Sequence, residues 1–242
     1  MLDSVGFMAK LLILPGLDGT DVFFRPLMAS LPASIQPTVV TYPQTGRTYD
    51  DLLRLVRRQV ADVGPCYVLG SSFSGPLALM LAREEPDNVR GIILSATFLR
   101  SPRRRLTQLR FAMVGPVIWT VRAARRLPVW VLRPRDDAFR RAKAETWARV
   151  SAGVLAARAR AVADVDVRDV IEGCRQPMLC VAFEEDSVVP RANAEEILRL
   201  CPSAQLIVLP GSHLAMHLDP VSLAESLARF IGPLEGFPSD PR

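Results

Sequence analysis

Tyr67-Val68-Leu69-Gly70-Ser71-Ser72-Phe73-Ser74-Gly75-Pro76-Leu77-Ala78 is a short apolar run that ends in small residues and then turns helical. It reads as a strand, a sharp turn and a helix, with a serine at the apex. A serine held in a G-x-S-x-G turn has a strained backbone, so the residues two before and two after it must be small. Three serines compete for the apex. Around Ser72 the flanking positions are Gly70 and Ser74, both small; around Ser71 they are Leu69 and Phe73, and around Ser74 they are Ser72 and Pro76. The size rule selects Ser72. A Gly/Ser-rich turn without chemistry is the alternative that this stretch alone leaves open.

Outward from this turn, strands and helices alternate. Lys10–Leu14 is a continuous apolar run of the kind found in buried parallel strands, and Pro15-Gly16-Leu17-Asp18-Gly19-Thr20 follows it. Asp21 is a candidate cap for a helix through Phe24, Leu27 and Met28 that Pro32 closes. Ile35–Tyr42 reads as a strand, and Thr48 as the N-cap of a helix that ends at Gly64-Pro65. The helix after Ser72 stops near Pro86, and Val89–Ser95 is a fourth strand. From Phe98 to Val170 the pattern is helical, with Ala138–Ala163 forming one long helix or two abutting ones. Alternation then resumes: Met178–Phe183 strand, Arg191–Leu200 helix, Ala204–Leu209 strand, Val221–Ile231 helix, with fraying expected from Pro233 onward. This order predicts an α/β fold, a mostly parallel sheet of about six strands covered on both faces. Residues 1–97 and 171–242 form its core, and residues 98–170 a helical lid inserted into it.

A serine hydroxyl needs a base, and the base needs an orienting acid. The chain has two histidines. His213 follows Gly211-Ser212 at the end of the last strand, on the rim it shares with Ser72, and is favoured over His217. A metal pair at His213 and His217 is disfavoured because the intervening residues lack the Glu of H-E-x-x-H. The loop after the fifth strand offers Glu184, Glu185 and Asp186, among which spacing does not choose.

Four blocks in order resemble the α/β-hydrolase superfamily: Pro15–Gly19 its oxyanion loop, Gly70–Gly75 its nucleophile elbow, Asp186 with Val189-Pro190 its acid loop, and Gly211-Ser212-His213 its histidine loop. The resemblance spans nearly the whole chain. It implies Ser72 as nucleophile, His213 as general base and then acid, Asp186 as the orienting carboxylate, and the backbone N–H groups of Leu17 and Phe73 as the oxyanion hole. Three departures stand out: Pro15 replaces the usual histidine, Ser74 replaces the second glycine of the elbow, and the family's first antiparallel hairpin is expected to be missing or reduced. The implied chemistry is carboxylic-ester hydrolysis through an acyl-enzyme, with no cofactor and no metal. Other chemistries of the superfamily (peptidase, haloperoxidase, carbon–carbon hydrolase, lyase) share the scaffold, and a non-catalytic binding module is the reading from another class. A haloalkane dehalogenase would carry Asp where this chain has Ser72.

Composition narrows the rest. The 242 residues are 49% hydrophobic, enough for a full core, and the net charge is +5. From Arg100 to Arg141 twelve arginines face two aspartates, about +10, which leaves about −5 for the remainder. This block is either an arginine-rich solvated surface or a dock for an acidic partner. Lidded relatives such as the pimeloyl-carrier-protein methyl esterase of biotin synthesis have a similar layout and dock an acyl carrier protein on lid arginines. By that resemblance Arg103, Arg104, Arg105, Arg122, Arg125 and Arg126 are docking candidates, and the substrate is a small-molecule or carrier-bound acyl ester. Leu106, Phe111 and Trp119 are candidates for the acyl pocket. Membrane contact is disfavoured, and a nucleic-acid role lacks any recognisable module. Met1–Lys10 does not resemble a secretion signal, and the scattered Cys66, Cys174, Cys180 and Cys201 suit buried free thiols, so a cytoplasmic location is expected.

Overall fold

The computed structural model describes residues 8–102 and 137–236. Six strands, β1 (Ala9–Leu14), β2 (Ile35–Val39), β3 (Cys66–Ser71), β4 (Val89–Ser95), β5 (Met178–Phe183) and β6 (Gln205–Leu209), form one sheet in the order β2-β1-β3-β4-β5-β6. All five pairings are parallel. Helices follow the strands: α1 (Arg25–Ser30), α2 (Tyr49–Val63), α3 (Gly75–Glu84), then α4 (Asp137–Arg149), α5 (Ala152–Asp164) and α6 (Arg168–Glu172), then α7 (Ala192–Leu200), α8 (Ala215–Leu218) and α9 (Pro220–Glu235).

The apolar runs divide between two faces because side chains alternate along a strand. Leu12 and Leu14 of β1, Val68 of β3, Ile92 and Leu94 of β4 and Cys180 of β5 pack with α2, α3 and α7. Leu11, Ile13, Leu69, Ile93, Leu179 and Val181 point the other way, against α1 and α9. The chain leaves β1 for β2 at one side and returns to β3 on the other. The crevice at the carboxyl ends of β1 and β3 is therefore the switch point of the sheet, where ligands bind in open α/β folds.

Several local expectations are met at the level of single bonds. Thr48 and Asp51 form a reciprocal capping box at the start of α2, with both bonds at 3.2 Å. The Ala138–Ala163 stretch divides into α4 and α5 at Val150-Ser151, where the Ser151 hydroxyl accepts from Val154 N at 3.3 Å. Gln44 spans this break, donating to Arg149 O at 2.9 Å and accepting from Ser151 N at 3.1 Å.

Others are corrected. Asp21 holds the N-cap position of the short turn Val22–Phe24 that leads into α1, but its side chain makes no cap bond; its carboxylate pairs with Arg25 and with Arg149 of α4. The second strand ends at Val39, because Tyr42 N turns to Gly19 O at 2.9 Å and follows the loop after β1. The last helix passes through Pro233 to Glu235 and is closed by Gly236 in the left-handed conformation, φ 70°. The ends of the long β4–β5 segment are tied together, Val167 N to Leu99 O at 2.9 Å, and Phe98, Leu99, Val165 and Val167 are buried in the main core. The four cysteines are free, three of them buried. No helix among the described residues is long and apolar enough to cross a membrane.

Candidate active site

Ser72 has φ 50°, one of two non-glycine residues with positive φ among those described. For a residue with a Cβ such a conformation costs about 1–3 kcal/mol and is held only where the surroundings over-determine it. Here they do. A Cβ on Gly70 would lie 2.5 Å from Ser74 O and 2.8 Å from Ala78 Cβ, and one on Gly75 would run into Thr97 Oγ1. The backbone of the turn is fixed by hydroxyls: Thr97 donates to Ser72 O, and Tyr49 donates to Phe73 O at 2.8 Å. Tyr49 also stacks on the Phe73 ring, with centroids 4.8 Å apart.

The loops after β5 and β6 bring two more predicted residues to Ser72. His213 Nε2 lies 2.9 Å from Ser72 Oγ, and its Nδ1 lies 2.8 Å from Asp186 Oδ2. Asp186 Oδ1 accepts from Val188 N and Val189 N, both at 2.8 Å, so the carboxylate cannot swing away. Its side chain is 1% exposed and that of His213 17%. A carboxylate only accepts, so Nδ1 carries the ring proton and Nε2 is left to accept from the serine. The choice among Glu184, Glu185 and Asp186 thus falls to Asp186, the buried one. His217 takes a different place, in α8, with its ring edge-on to Phe23 at 5.4 Å and tilted against Phe139 at 5.8 Å.

Leu17 and Phe73 both border the space in front of Ser72. Leu17 sits in a tight turn closed by Gly19 N to Gly16 O at 3.0 Å, and its own N–H has no acceptor among the described residues. Phe73 lies in the short turn that leads into α3, where unpaired N–H groups and the helix dipole favour an anion. Ser74 proves to be more than a small substitute for glycine. Its hydroxyl donates to Pro15 O and lies 2.6 Å from Tyr42 Oη, tying the elbow to the start of the loop after β1. Burial pushes the Tyr42 phenol well above its usual range, which keeps its proton in place for this bond.

The alpha/beta hydrolase family model matches residues 11–226. The chain belongs to the alpha/beta hydrolase family. Solved structures share the fold at low identity. A hydrolase from Pseudomonas aeruginosa PA01 is 21% identical, with a TM-score of 0.77 over 93% of this chain and 90% of that one. A structure from a study of carboxylesterases of Nitrososphaera gargenis is 17% identical, with a TM-score of 0.75 over 95% and 92%. The enol-lactonase from Burkholderia xenovorans LB400 is 16% identical, with a TM-score of 0.75 over 93% and 91%.

In this hydrolase the space before Ser72 is a cavity of about 570 Å³. Its floor is Ser72, Phe73, Leu17 and His213, and its wall is α4 and α5. Phe139, Lys143 and Trp147 fall at helical spacing on one face of α4, Val150 follows at its end, and Leu155, Ala159 and Val162 share one face of α5. The expected pocket residues Leu106, Phe111 and Trp119 lie outside the described residues, as do Arg103, Arg104, Arg105, Arg122, Arg125 and Arg126. The sequence reading placed helices here but missed the side chains that line the cavity, although Phe139 and Trp147, eight residues apart, share one face of a basic helix. Asp18, also at the edge of the cavity, has its carboxyl raised by burial, against hydrogen bonds from Thr20 and the charge of Arg158, which lower it.

Proposed function

We propose that this protein is a serine hydrolase that cleaves carboxylic esters with an apolar acyl group through an acyl-enzyme. The observation that supports it is His213 suspended between Ser72 Oγ and Asp186, at 2.9 and 2.8 Å, on the floor of a cavity walled by apolar side chains. Ser72 Oγ attacks the acyl carbon while its proton passes to His213 Nε2. The Asp186 carboxylate stabilises the imidazolium that forms. The carbonyl oxygen becomes an oxyanion and takes the N–H groups of Leu17 and Phe73; each such donor is worth about 3 kcal/mol in the transition state. Collapse expels the alcohol, which leaves with the proton held on Nε2. Water then enters, gives a proton to the same nitrogen and attacks the acyl carbon; the second collapse breaks the bond to Ser72 Oγ, which takes the proton back from Nε2 as the acid leaves.

A fluorophosphonate probe tests this reading. It labels wild-type protein and neither Ser72→Ala nor His213→Ala, and the wild type hydrolyses acyl esters in the same preparation. Folded wild-type protein that takes no label and turns over no ester contradicts it, and a binding module of the same fold then explains the cavity better.

The arginine block supports a second, finer reading, in which the ester arrives on an acidic acyl carrier protein. Turnover of a carrier-bound ester then falls steeply with added salt while turnover of a free ester does not. Equal salt dependence removes it.

A further inference from the structure

Arg158 on α5 is the largest fully buried side chain among the described residues, with no exposed surface. A buried guanidinium is costly unless every donor finds a partner. Four of its five N–H donors reach backbone carbonyls: Nε donates to Gly46 O, Nη2 to Pro43 O, and Nη1 to both Leu17 O and Asp18 O, all at 3.0 Å. The guanidinium also lies over the Tyr42 ring, 5.3 Å from its centroid. It therefore joins three things: the helical wall, the loop after β2, and the Gly16–Gly19 turn that carries Leu17.

The bonds of that turn divide its peptide planes in an informative way. The plane between Gly16 and Leu17, which contains the Leu17 N–H, is fixed by Gly19 N donating to Gly16 O at 3.0 Å. The next two planes, whose carbonyls belong to Leu17 and Asp18, are both held by Arg158 Nη1. Without the guanidinium those two carbonyls are buried acceptors with no donor, and the turn is free to rotate them toward another one. Gly19 fits the same picture: its φ is 71°, and a Cβ there would lie 2.6 Å from Arg158 Nη1 and 2.6 Å from Tyr42 Cβ.

We propose that Arg158 is a positioning residue for the oxyanion hole, a strut from the inserted helices that holds the Leu17 N–H toward the reacting carbonyl. This rests on the serine-hydrolase reading above. It makes the insertion part of the catalytic geometry as well as a wall for the substrate. An open or displaced α5 would then be a hydrolase with an intact Ser72–His213–Asp186 array and a poor oxyanion hole.

The test uses the full chain with Arg158→Met, which removes the charge and fork, and Arg158→Lys, which keeps the charge without the fork. Leu227→Ala, a cavity in the core on the other face of the sheet, serves as a control for lost stability. The expected result is a fall in kcat of about 10- to 100-fold in Arg158→Met with KM within a factor of three. That lies below the ~100- to 1000-fold loss on deleting an oxyanion donor outright. Arg158→Lys falls between it and wild type, and Leu227→Ala loses stability without this kcat-selective effect. Hydrogen exchange over residues 15–20 supplies a readout that needs no activity. The Gly19 and Thr20 amides exchange faster in Arg158→Met than in Leu227→Ala of equal stability. Unchanged exchange there overturns the inference even if wild type hydrolyses nothing. Activity lost through KM alone, or in proportion to stability as in Leu227→Ala, overturns it too. Wild type without label or turnover removes the serine-hydrolase reading instead, which keeps the two failures apart.

Discussion

On one side of the cavity, Ser72, Asp186 and His213 stand within four residues of the carboxyl ends of β3, β5 and β6. On the other side, α4 and α5 belong to the long segment between β4 and β5 and touch the body of the molecule through scattered contacts. The floor inherits its geometry from the parallel register of the sheet, so a few residues at strand ends converge whatever the rest of the chain does. The wall must be docked. Arg25 and Glu145 form a two-bond pair at 2.9 Å, Arg149 reaches Asp21, Gln44 clamps the α4–α5 break, and Arg158 plugs into the loops after β1 and β2. Under the proposed function, the reacting groups and the substrate wall thus belong to different parts of one chain. The floor should then carry the reacting groups, while the wall selects the acyl group and, through Arg158, braces the turn that carries Leu17.

That division can be broken most sharply at the floor. Ser72→Ala is expected to lower kcat/KM by at least about 10⁴-fold while leaving affinity for the product acid within a factor of two, read by steady-state kinetics and calorimetry. A loss of affinity of similar size would mean that floor and wall are not separable. Gly75→Ala comes next. Its new Cβ meets Thr97, and overpacking of this kind costs about 1–3 kcal/mol, seen as a lower denaturation midpoint together with slower turnover. Smaller again is the effect of Trp147→Ala or Phe139→Ala. Each should cut kcat/KM for medium-chain acyl esters roughly 10-fold and barely change acetyl ester turnover, because only the longer chain reaches the wall. Equal losses on both esters would sink the proposed roles. Thiol alkylation should do least: burial pushes Cys66 up to about 11 and Cys180 up to about 12, so iodoacetamide at neutral pH should leave turnover within a factor of two.

The same contrast explains what could be read from the residues alone. Most strands were legible because they centre on short apolar runs that leave few alternatives in an alternating chain, and β2 through its β-branched residues. Ser72 was legible through sterics: Gly70, two residues before it, leaves no room for a side chain and Ser74, two after, is small, whereas around Ser71 those positions hold Leu69 and Phe73. Asp186 needed a resemblance, because burial and the two amides of Val188 and Val189 single it out from Glu184 and Glu185, and neither shows in spacing. The wall was harder. Whether an Ala/Arg-rich stretch is one helix or two turned on Ser151 and on Gln44, more than 100 residues away. Arg158 sits in the stripe of Leu155 and Val162, a cation among apolar neighbours, yet its partners are carbonyls, which carry no sequence signal. Asp21 and Pro233 misled for the opposite reason: local propensity favoured a cap and a helix end, and tertiary ion pairs and the docking of α9 overrode them.

The most direct measurement maps the adduct after brief reaction with a fluorophosphonate, by intact mass and then by peptide sequencing across residues 66–90. The account predicts one adduct per chain, on Ser72, with Ser71 and Ser74 unmodified because the former is buried beside Met216 and the latter is bonded to Pro15 and Tyr42. An adduct on either of those serines, or a folded chain that carries none, would contradict it.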